Sequence, residues 1–335
     1  MQSNWRDASI VISPSLDPWY NLAVEELLLR ESRRAAAGTV LYLWQNQNTV
    51  VIGRNQNAWK ECRWELLHAE GGRLARRLSG GGAVYHDIGN LNFTFVTSRK
   101  GYDLPKQLEV ILQAVGSLGI PAEFSGRNDI LAAGRKFSGN AFYKDTHRAY
   151  HHGTILVSVD FAKLNRYLQV SKEKMAAKGI NSVRSRVVNL AELKPGLEVE
   201  DVKEALKTAF RSLYSADGGE AVIQSQNGAV QELYEKYASW EWRFGKTPPF
   251  DLTIQRRFPW GGIELGLTLK GGSIQDARVF SDAMEPQLIE AIAPRLQGLP
   301  LDKGAMAAVL GGLGETEEEK EIIREIREWL SAVEF

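Results

Sequence analysis

Hydrophobic and polar positions over the first 240 residues alternate between helical and strand-like patterns. A helix is expected to begin at Asp17 and Pro18, because aspartate suits the N-cap and proline suits the first turn. Two strand-like runs follow at 39–44 and 49–52, and the polar tetrapeptide between them predicts a hairpin or a pair of neighbouring strands. Further helices are expected at 62–69, 104–118, 161–168 and 202–214, and further strands at 91–97 and 153–159. Such a mixture predicts an α/β or α+β domain.

The pattern changes at residues 240–249, where a glycine and two prolines interrupt regular structure. Beyond this junction, strand-like runs at 263–269 and 273–280 are joined by a Lys-Gly-Gly turn that favours a hairpin. Three helical stretches close the chain, at roughly 285–297, 302–312 and 315–331. We therefore predict two domains, a large one over 1–246 and a small α+β module over 247–335.

Composition narrows the classes of function. The chain has 335 residues, and 41 Lys and Arg balance 41 Asp and Glu, so the formal net charge is zero. A general nucleic-acid or membrane-surface binder would need a basic excess, so both classes are disfavoured, whereas a local anion site remains compatible with this balance. The N-terminus lacks a signal-peptide pattern and the sequence has no run of 18 apolar residues, so neither a transmembrane helix nor a membrane partner is expected. A single cysteine allows no internal disulfide, which fits a cytoplasmic protein.

The strongest local signal is the glycine-rich segment 76–87, which reads Arg-Arg-Leu-Ser-Gly-Gly-Gly-Ala-Val-Tyr-His-Asp. Adjacent glycines let the backbone turn with positive φ and approach a ligand closely, and successive N–H groups in such a turn can converge on an anion. Arg76 and Arg77 can add charge-assisted hydrogen bonds to phosphate or carboxylate. The spacing fits neither a Walker A loop nor a G-x-G-x-x-G motif. From the residues alone, an anion site and a flexible turn with solvated arginines are equally good interpretations.

Three further segments carry candidate chemistry. Lys136 lies among small residues and could reach a phosphate as a point charge, although an ordinary exposed loop lysine is the simpler interpretation. His151 and His152 raise the question of a metal, but their adjacent spacing, without a completing cysteine or carboxylate, favours packed histidines at the head of a strand. The segment 178–190 has spaced arginines and is either a surface loop or a lid that excludes water from an anionic intermediate.

A covalent mechanism would need an activated nucleophile. The single cysteine, Cys62, has His68 six residues further on, off the same helical face. A packed small residue is therefore a better interpretation than a catalytic thiol.

Together and in this order, these segments resemble the lipoate–protein ligase A family. The motifs that carry the resemblance are 17–26, 50–57, 76–90, 125–129, Arg135-Lys136-x-Ser138-Gly139-x-Ala141, His151-His152-Gly153-Thr154, 178–187 and 240–245. The resemblance implies an α+β fold: a large domain of mixed sheets with flanking helices, related to the biotin ligase catalytic domain, and a small accessory domain. It implies that lipoate and MgATP give lipoyl-AMP and pyrophosphate. The lipoyl group then passes to a lysine of a lipoyl domain, in 2-oxo acid dehydrogenase acyltransferase subunits or the glycine-cleavage H protein, and a monomer is expected.

The resemblance also assigns roles to individual residues. Lys136 matches the family lysine that touches the lipoate carboxyl and the ATP α-phosphate, where a fixed cation stabilises developing charge and aligns the reactants. Asp129 is the candidate Mg²⁺ ligand. Contacts to ATP or the adenylate are expected from Arg77, Ser79, Gly80, Gly81, Gly82, Ala83, Val84, Tyr85, Lys136, Ser138, Asn140 and Ala141. Contacts to lipoate are expected from Trp44, Arg77, Gly82, His86, Lys136 and His152. The loop expected to close over the adenylate contains Gly179, Val183, Arg184 and Arg186.

The alternatives are other proteins of related fold. A lipoyl or octanoyl transferase would use a preformed donor without ATP. Octanoyltransferases resembling this fold use a cysteine downstream of a His-Gly segment, and residues 154–171 contain none. A transferase that accepts supplied lipoyl-AMP is harder to distinguish. A non-catalytic lipoate- or nucleotide-binding protein would lose Lys136, and a biotin ligase has a different glycine-rich motif.

Overall fold

The computed structural model describes residues 9–32, 38–126, 128–169, 186–216, 219–223, 228–245 and 250–333. Internal contacts divide the chain into two units. The first comprises Met1–Val51, Trp59–Arg76 and Ala83–Arg243, and the second comprises Ile52–Ala58, Arg77–Gly82 and Phe244–Phe335. Two short segments from the N-terminal part of the sequence, one of them within the glycine-rich segment, thus belong to the second unit.

Mixed sheets dominate the chain before residue 230. The strands are β1 (Ile10–Ile12), β2 (Val40–Trp44), β3 (Thr49–Ile52), β4 (Arg73–Arg76), β5 (Val84–His86), β6 (Asn90–Ser98), β7 (Ala122–Ser125), β8 (Asp129–Ala132), β9 (Arg135–Lys144), β10 (Arg148–Leu156) and β11 (Glu220–Val222). An eight-stranded sheet has the order β11-β1-β2-β6-β10-β9-β8-β7, and a three-stranded sheet has the order β4-β3-β5. In the larger sheet β1 runs parallel to β2 and to β11, whereas the other neighbouring pairs are antiparallel.

The helices of this part flank the sheets. They are Pro18–Glu31, Ala58–Glu61, Trp64–Ala69, Leu104–Ser117, Phe161–Tyr167, Leu190–Leu193, Val199–Tyr214, Gly228–Ala238 and Trp240–Phe244, with a 3-10 turn at Arg99–Gly101. The Asp17 carboxylate accepts hydrogen bonds from the backbone N–H groups of Trp19 and Tyr20, which confirms the predicted N-cap. Apolar residues of the helices Leu104–Ser117 and Val199–Tyr214 join those of the large sheet in one core. No helix in the described ranges is long and apolar enough to cross a bilayer.

The predicted pairing of the runs at 39–44 and 49–52 is wrong. β2 lies between β1 and β6 in the large sheet, whereas β3 lies between β4 and β5 in the small one. Every residue of both strands is buried, so both faces of each strand are covered, whereas an isolated hairpin would leave a face open to water. The partners that complete the two sheets come from distant parts of the sequence.

The second unit contains an antiparallel sheet of β12 (Leu252–Phe258), β13 (Gly261–Lys270) and β14 (Ser273–Ser281). The predicted hairpin is confirmed, although Lys270 pairs with Ser273 and only Gly271 and Gly272 form the turn. Their φ angles are 59° and 80°, as expected for two-residue turns that match the strand twist. The helices of this unit are Pro286–Glu290, Ile292–Leu296, Lys303–Val309 and Glu317–Ala332. They share a separate apolar core with the sheet.

Candidate functional site

Lys136 lies near the start of β9 and forms an ion pair with Asp129, the first residue of β8. The Lys136 Nζ is 2.6 Å from the Asp129 Oδ1, and the two side chains are 33% and 39% exposed. An ion pair this exposed contributes at most about 1 kcal/mol, because water screens it. An incoming carboxylate or phosphate can therefore replace Asp129 as the partner of the ammonium at little cost.

Asp129 is also the predicted Mg²⁺ ligand. Within the described ranges, no group of three or more His, Cys, Asp or Glu side chains is arranged to hold a metal ion. The described residues therefore do not form a metal site built from protein ligands alone. Mg²⁺ in nucleotide sites commonly uses one or two carboxylates, with water and phosphate oxygens completing the coordination. A single, partly exposed carboxylate fits that second arrangement.

Three further residues of β9 are predicted to contact ATP or the adenylate. Ser138, Asn140 and Ala141 are all buried. The Asn140 Nδ2 donates to the Asn128 carbonyl at 3.1 Å, which turns its Oδ1 toward His151. The His151 Nε2 therefore carries the proton and donates to that oxygen at 2.8 Å. Burial, reinforced by the neighbouring His152, holds the pKa of His151 well below its usual value, so this ring is neutral.

Three residues predicted to contact lipoate are brought together in the first unit. The Trp44 ring lies edge-on to the His86 ring at 6.1 Å, and both side chains are buried. The Trp44 Nε1 donates to the Thr94 Oγ1 at 3.1 Å, which satisfies the one polar atom of the indole. The Thr94 hydroxyl in turn donates to the Glu25 Oε1 at 2.7 Å, and the His152 Nδ1 lies 2.8 Å from the same oxygen. Trp44 and His152 thus belong to one hydrogen-bonded network.

Glu25 is the member of this network that the sequence-based site prediction missed. Its carboxylate is 2% exposed and joins the helix Pro18–Glu31 to β6 and β10. A buried carboxylate is costly unless it is hydrogen-bonded, so its presence marks a built polar site. The available signal was the pair Glu25-Glu26 inside the apolar run Leu-Ala-Val-Glu-Glu-Leu-Leu-Leu, where a charged side chain is unexpected.

The Arg77 guanidinium lies inside the glycine-rich turn. Its Nε donates to the Ser79 Oγ at 3.0 Å, and its Nη2 donates to the Gly80 and Gly82 carbonyls at 2.8 and 2.7 Å. The C=O and N–H of a trans peptide point in opposite directions. Because the Gly82 carbonyl points toward the guanidinium, the Ala83 N–H of the same peptide points away from it. In this structure Arg77 therefore shapes the turn through contacts with the loop's own carbonyls.

The glycines of this turn differ in what they require. Gly81 has φ of 87°, and its N–H donates to the Ala283 carbonyl at 2.9 Å. A Cβ on Gly80 would lie 2.2 Å from the same carbonyl oxygen, and one on Gly53 would lie 2.2 Å from the Gly81 oxygen. A Cβ on Gly82 would meet nothing within 4 Å. Only Gly81 uses the positive φ that the sequence suggested for the turn, while Gly80 and Gly53 allow close backbone packing inside the second unit.

The residues that flank the turn have structural partners. The Arg76 guanidinium donates to the backbone carbonyls of Trp242 and Arg243 in this structure. Ala83 and Val84 are half-buried at the start of β5. Tyr85 is buried, and its hydroxyl donates to the Asn48 Oδ1 at 3.1 Å.

The segment predicted to close over the adenylate is only partly described. Gly179, Val183 and Arg184 lie outside the described residues, and Arg186 is the first residue after that interval. Immediately beyond it, Val187 forms a parallel bridge with Lys136, and the Val188 N–H donates to the Lys136 carbonyl at 2.9 Å. The end of this segment is therefore hydrogen-bonded to the backbone of Lys136, the candidate catalytic residue.

Cys62 is 2% exposed, between two short helices, and burial raises the pKa of its thiol to about 12. The thiol is therefore protonated at neutral pH and is a poor nucleophile. For the lipoyl transfer that the sequence resemblance implies, we expect Cys62→Ser to keep the rate within about twofold of wild type, since the substitution removes no reactive group. Steady-state kinetics check this expectation, and a large loss of rate in a variant with an unchanged Tm would restore a thioester mechanism.

Comparison with known families and structures gives a consistent result. Residues 17–211 match the lipoyl protein ligase A/B catalytic domain, and residues 247–330 match the bacterial lipoate protein ligase C-terminus. The crystal structure of P. falciparum LipL1 in complex with lipoate has 29% identity and a TM-score of 0.86, and the match covers 97% of this chain and 99% of that chain.

Two other solved structures match a smaller share of the chain. A bipartite lipoate protein ligase from Thermoplasma acidophilum, described with its E2 lipoyl domain, has 27% identity and a TM-score of 0.64 over 73% of this chain and 99% of that chain. A lipoate-protein ligase A bound with ATP has 26% identity and a TM-score of 0.62 over 71% of this chain and 98% of that chain.

Proposed function

Because the chain belongs to the lipoate–protein ligase family, we propose that it activates free lipoate with ATP and transfers the lipoyl group to a protein lysine. The observation that carries this proposal is the Lys136 ammonium, held by a weak and partly exposed ion pair in a chain whose only thiol is buried and protonated. Adenylation needs a fixed cation and needs no enzyme nucleophile. These residues match that requirement.

The first half-reaction brings two anions together. A lipoate carboxylate oxygen attacks the α-phosphorus of ATP, an O–P bond forms, and pyrophosphate leaves. Two unit negative charges 4 Å apart repel by about 4 kcal/mol at an effective dielectric of about 20. An ammonium that exchanges Asp129 for the carboxylate and the α-phosphate offsets this repulsion and aligns the reacting atoms. In this proposal Lys136 would make that exchange.

Mg²⁺ and the nucleotide would be held by different groups. Asp129 would supply one carboxylate oxygen to Mg²⁺, which when bound to ATP neutralises charge on the departing pyrophosphate. The turn ordered by Arg77 would contact the phosphate or the adenylate through backbone N–H groups such as that of Ala83. Nucleotide binding, as distinct from the residues that would perform it, is supported by a solved relative bound with ATP.

The apolar tail of lipoate would lie against the wall formed by Trp44, His86 and His152. The Trp44 indole is buried and its polar atom is already satisfied by Thr94, so contact with an apolar group would leave no donor unpaired. The Glu25 carboxylate would fix the orientation of His152 from behind. Relatives with bound lipoate support the substrate class.

The second half-reaction transfers the acyl group. The neutral amine of an acceptor lysine attacks the lipoyl carbonyl, a C–N bond forms, the C–O bond to phosphate breaks, and AMP leaves while the nitrogen loses a proton. The acceptors would be lipoyl domains of 2-oxo acid dehydrogenase complexes and the glycine-cleavage H protein. A relative described together with its E2 lipoyl domain supports this class of partner. Residues 1–246 would carry both half-reactions, and 247–335 would be the accessory domain.

Pyrophosphate release tests the proposal. With lipoate and MgATP alone, we expect one equivalent of pyrophosphate per protein, because the acyl adenylate stays bound and blocks further turnover. Addition of an acceptor lipoyl domain should make release continuous and equal to the amount of lipoylated product, measured by mass spectrometry. Absence of lipoate-dependent pyrophosphate, together with transfer from supplied lipoyl-AMP, would contradict ATP activation and establish a transferase.

A further inference from the structure

The position of Lys136 depends on an extra residue in β9. In the pairing of β8 with β9, Ile130 is opposite Ser138 and Leu131 is opposite Lys136, so Phe137 has no cross-strand partner. Residues 136 and 139 would point to opposite faces of a regular strand, because side chains alternate. The extra residue moves Lys136 to the face that Gly139 occupies.

Asp129 lies on that same face. It is directly opposite Gly139 in the register of β8 and β9. The Lys136 side chain therefore has to pass over Gly139 to place its Nζ 2.6 Å from the Asp129 carboxylate. The path of the lysine runs from one strand to the other across the glycine.

The space over Gly139 is filled by the lysine itself. A Cβ built on Gly139 would lie 2.9 Å from the Lys136 Nζ and 3.0 Å from its Cε. The next nearest atom, the Thr154 Oγ1, is 3.9 Å away, which is an ordinary contact. The conflict that a side chain at this position would create is thus confined to the end of Lys136.

The backbone around Lys136 is held by hydrogen bonds and by a buried side chain. The Lys136 carbonyl accepts the Val188 N–H at 2.9 Å, and the Phe137 side chain is fully buried in the apolar core. The Gly139 N–H donates to the Thr154 Oγ1 at 3.3 Å. With the strand held at these points, the lysine end would be displaced instead.

We propose that Gly139 is a positioning residue for the adenylation reaction, because its missing side chain is the space in which the Lys136 ammonium lies. This inference rests on the proposed function, and it identifies which feature of β9 fixes the cation. Gly139 does not have a positive φ, so the glycine is not needed for backbone conformation. Its role is to leave room for the lysine.

Gly139→Ala should therefore preserve the fold and impair the chemistry. The methyl group would push the ammonium from its place, and a displacement of about 1 Å can cost roughly 10²-fold in rate. We expect the rate of lipoate-dependent pyrophosphate release to fall by roughly that factor, with Tm unchanged within about 2 °C because the contact it disturbs is exposed. Gly116→Ala is the matched control, since a Cβ there meets nothing within 4 Å, and it should keep wild-type activity.

A double-mutant cycle separates positioning from a general structural effect. The probe is a non-hydrolysable sulfamoyl analogue of lipoyl-AMP, whose Kd is measured by calorimetry on the full chain. Gly139→Ala should weaken binding by about tenfold when Lys136 is present, because a charge-assisted hydrogen bond is lost. In the Lys136→Ala background the same substitution should change Kd by less than about twofold, since no ammonium remains to be displaced.

The outcomes separate the positioning role of Gly139 from the proposed function of the protein. Equal weakening by Gly139→Ala in both backgrounds, or wild-type behaviour of the single variant, would overturn the positioning role alone. A wild-type protein that does not bind the analogue would overturn the proposed function and the positioning role together. A coupled effect with unchanged Tm would support the positioning role, while lipoate-dependent pyrophosphate release by the wild-type protein separately tests ATP activation.

Discussion

Lys136→Ala is expected to abolish the formation of lipoyl-AMP from lipoate and MgATP. The substitution removes the ammonium that would screen the carboxylate from the α-phosphate, and loss of one preorganised electrostatic contact costs roughly 10²–10³-fold in rate. The exposed ion pair with Asp129 contributes little to the free energy of unfolding, so Tm should stay close to wild type. Pyrophosphate release and a thermal melt on the same sample measure the two effects.

A second lysine on the same strand provides the control. Lys144 is the last residue of β9, with its Nζ 4.2 Å from the centre of the Tyr102 ring, and it has no role in the proposed chemistry. Lys144→Ala should leave adenylation within about twofold of wild type, as surface substitutions usually do. Adenylation by Lys136→Ala at more than a tenth of the wild-type rate would contradict the role given to this lysine.

Gly80→Ala is expected to lower both the free energy of unfolding and the rate of adenylation, because the added side chain would clash with backbone atoms. The added Cβ would lie 2.2 Å from the Ala283 carbonyl oxygen and 3.0 Å from two backbone atoms of Met284, and backbone cannot move aside as a side-chain end can. The neighbouring hydrogen bond from Gly81 to Ala283 would be strained or lost. Overpacking of this kind costs about 1–3 kcal/mol. Displacement of the turn should also reduce pyrophosphate release by roughly 10²-fold.

Gly82→Ala is the control for the stability effect. It lies two residues further along the same turn, its added Cβ would meet nothing within 4 Å, and it does not have a positive φ. Its Tm should therefore equal that of wild type, while Gly80→Ala melts several degrees lower, at roughly 2–4 °C per kcal/mol for a chain of a few hundred residues. Equal melting temperatures for the two variants would show that the close approach of Gly80 to Ala283 does not matter.

Local sequence predicted the elements whose cause is local. The N-cap at Asp17 needs only an aspartate two to three residues before the amides it binds, and the hairpin turn at Gly271 and Gly272 needs only two residues that tolerate positive φ. β9 was not predicted, because glycine, serine and lysine have little strand propensity and its pairing partners lie elsewhere in the chain. The partners of β2 and β3 were mispredicted for the same reason, since strand pairing is decided over long range.

The sequence by itself determined the family and its candidate chemistry: the order of the motifs pointed to a lipoate–protein ligase, and the motif around Lys136 pointed to that residue as the candidate catalytic cation. Tertiary structure alone decided what surrounds those residues. It showed that Glu25 is hydrogen-bonded to His152 and that Arg77 donates to carbonyls of its own loop. It also showed that an extra residue in β9 turns Lys136 toward Gly139 and Asp129. The physical reason is that a motif records residue types along one strand or turn. The partner of a buried carboxylate, the direction of a guanidinium and the free space above a glycine depend on atoms that other segments bring there.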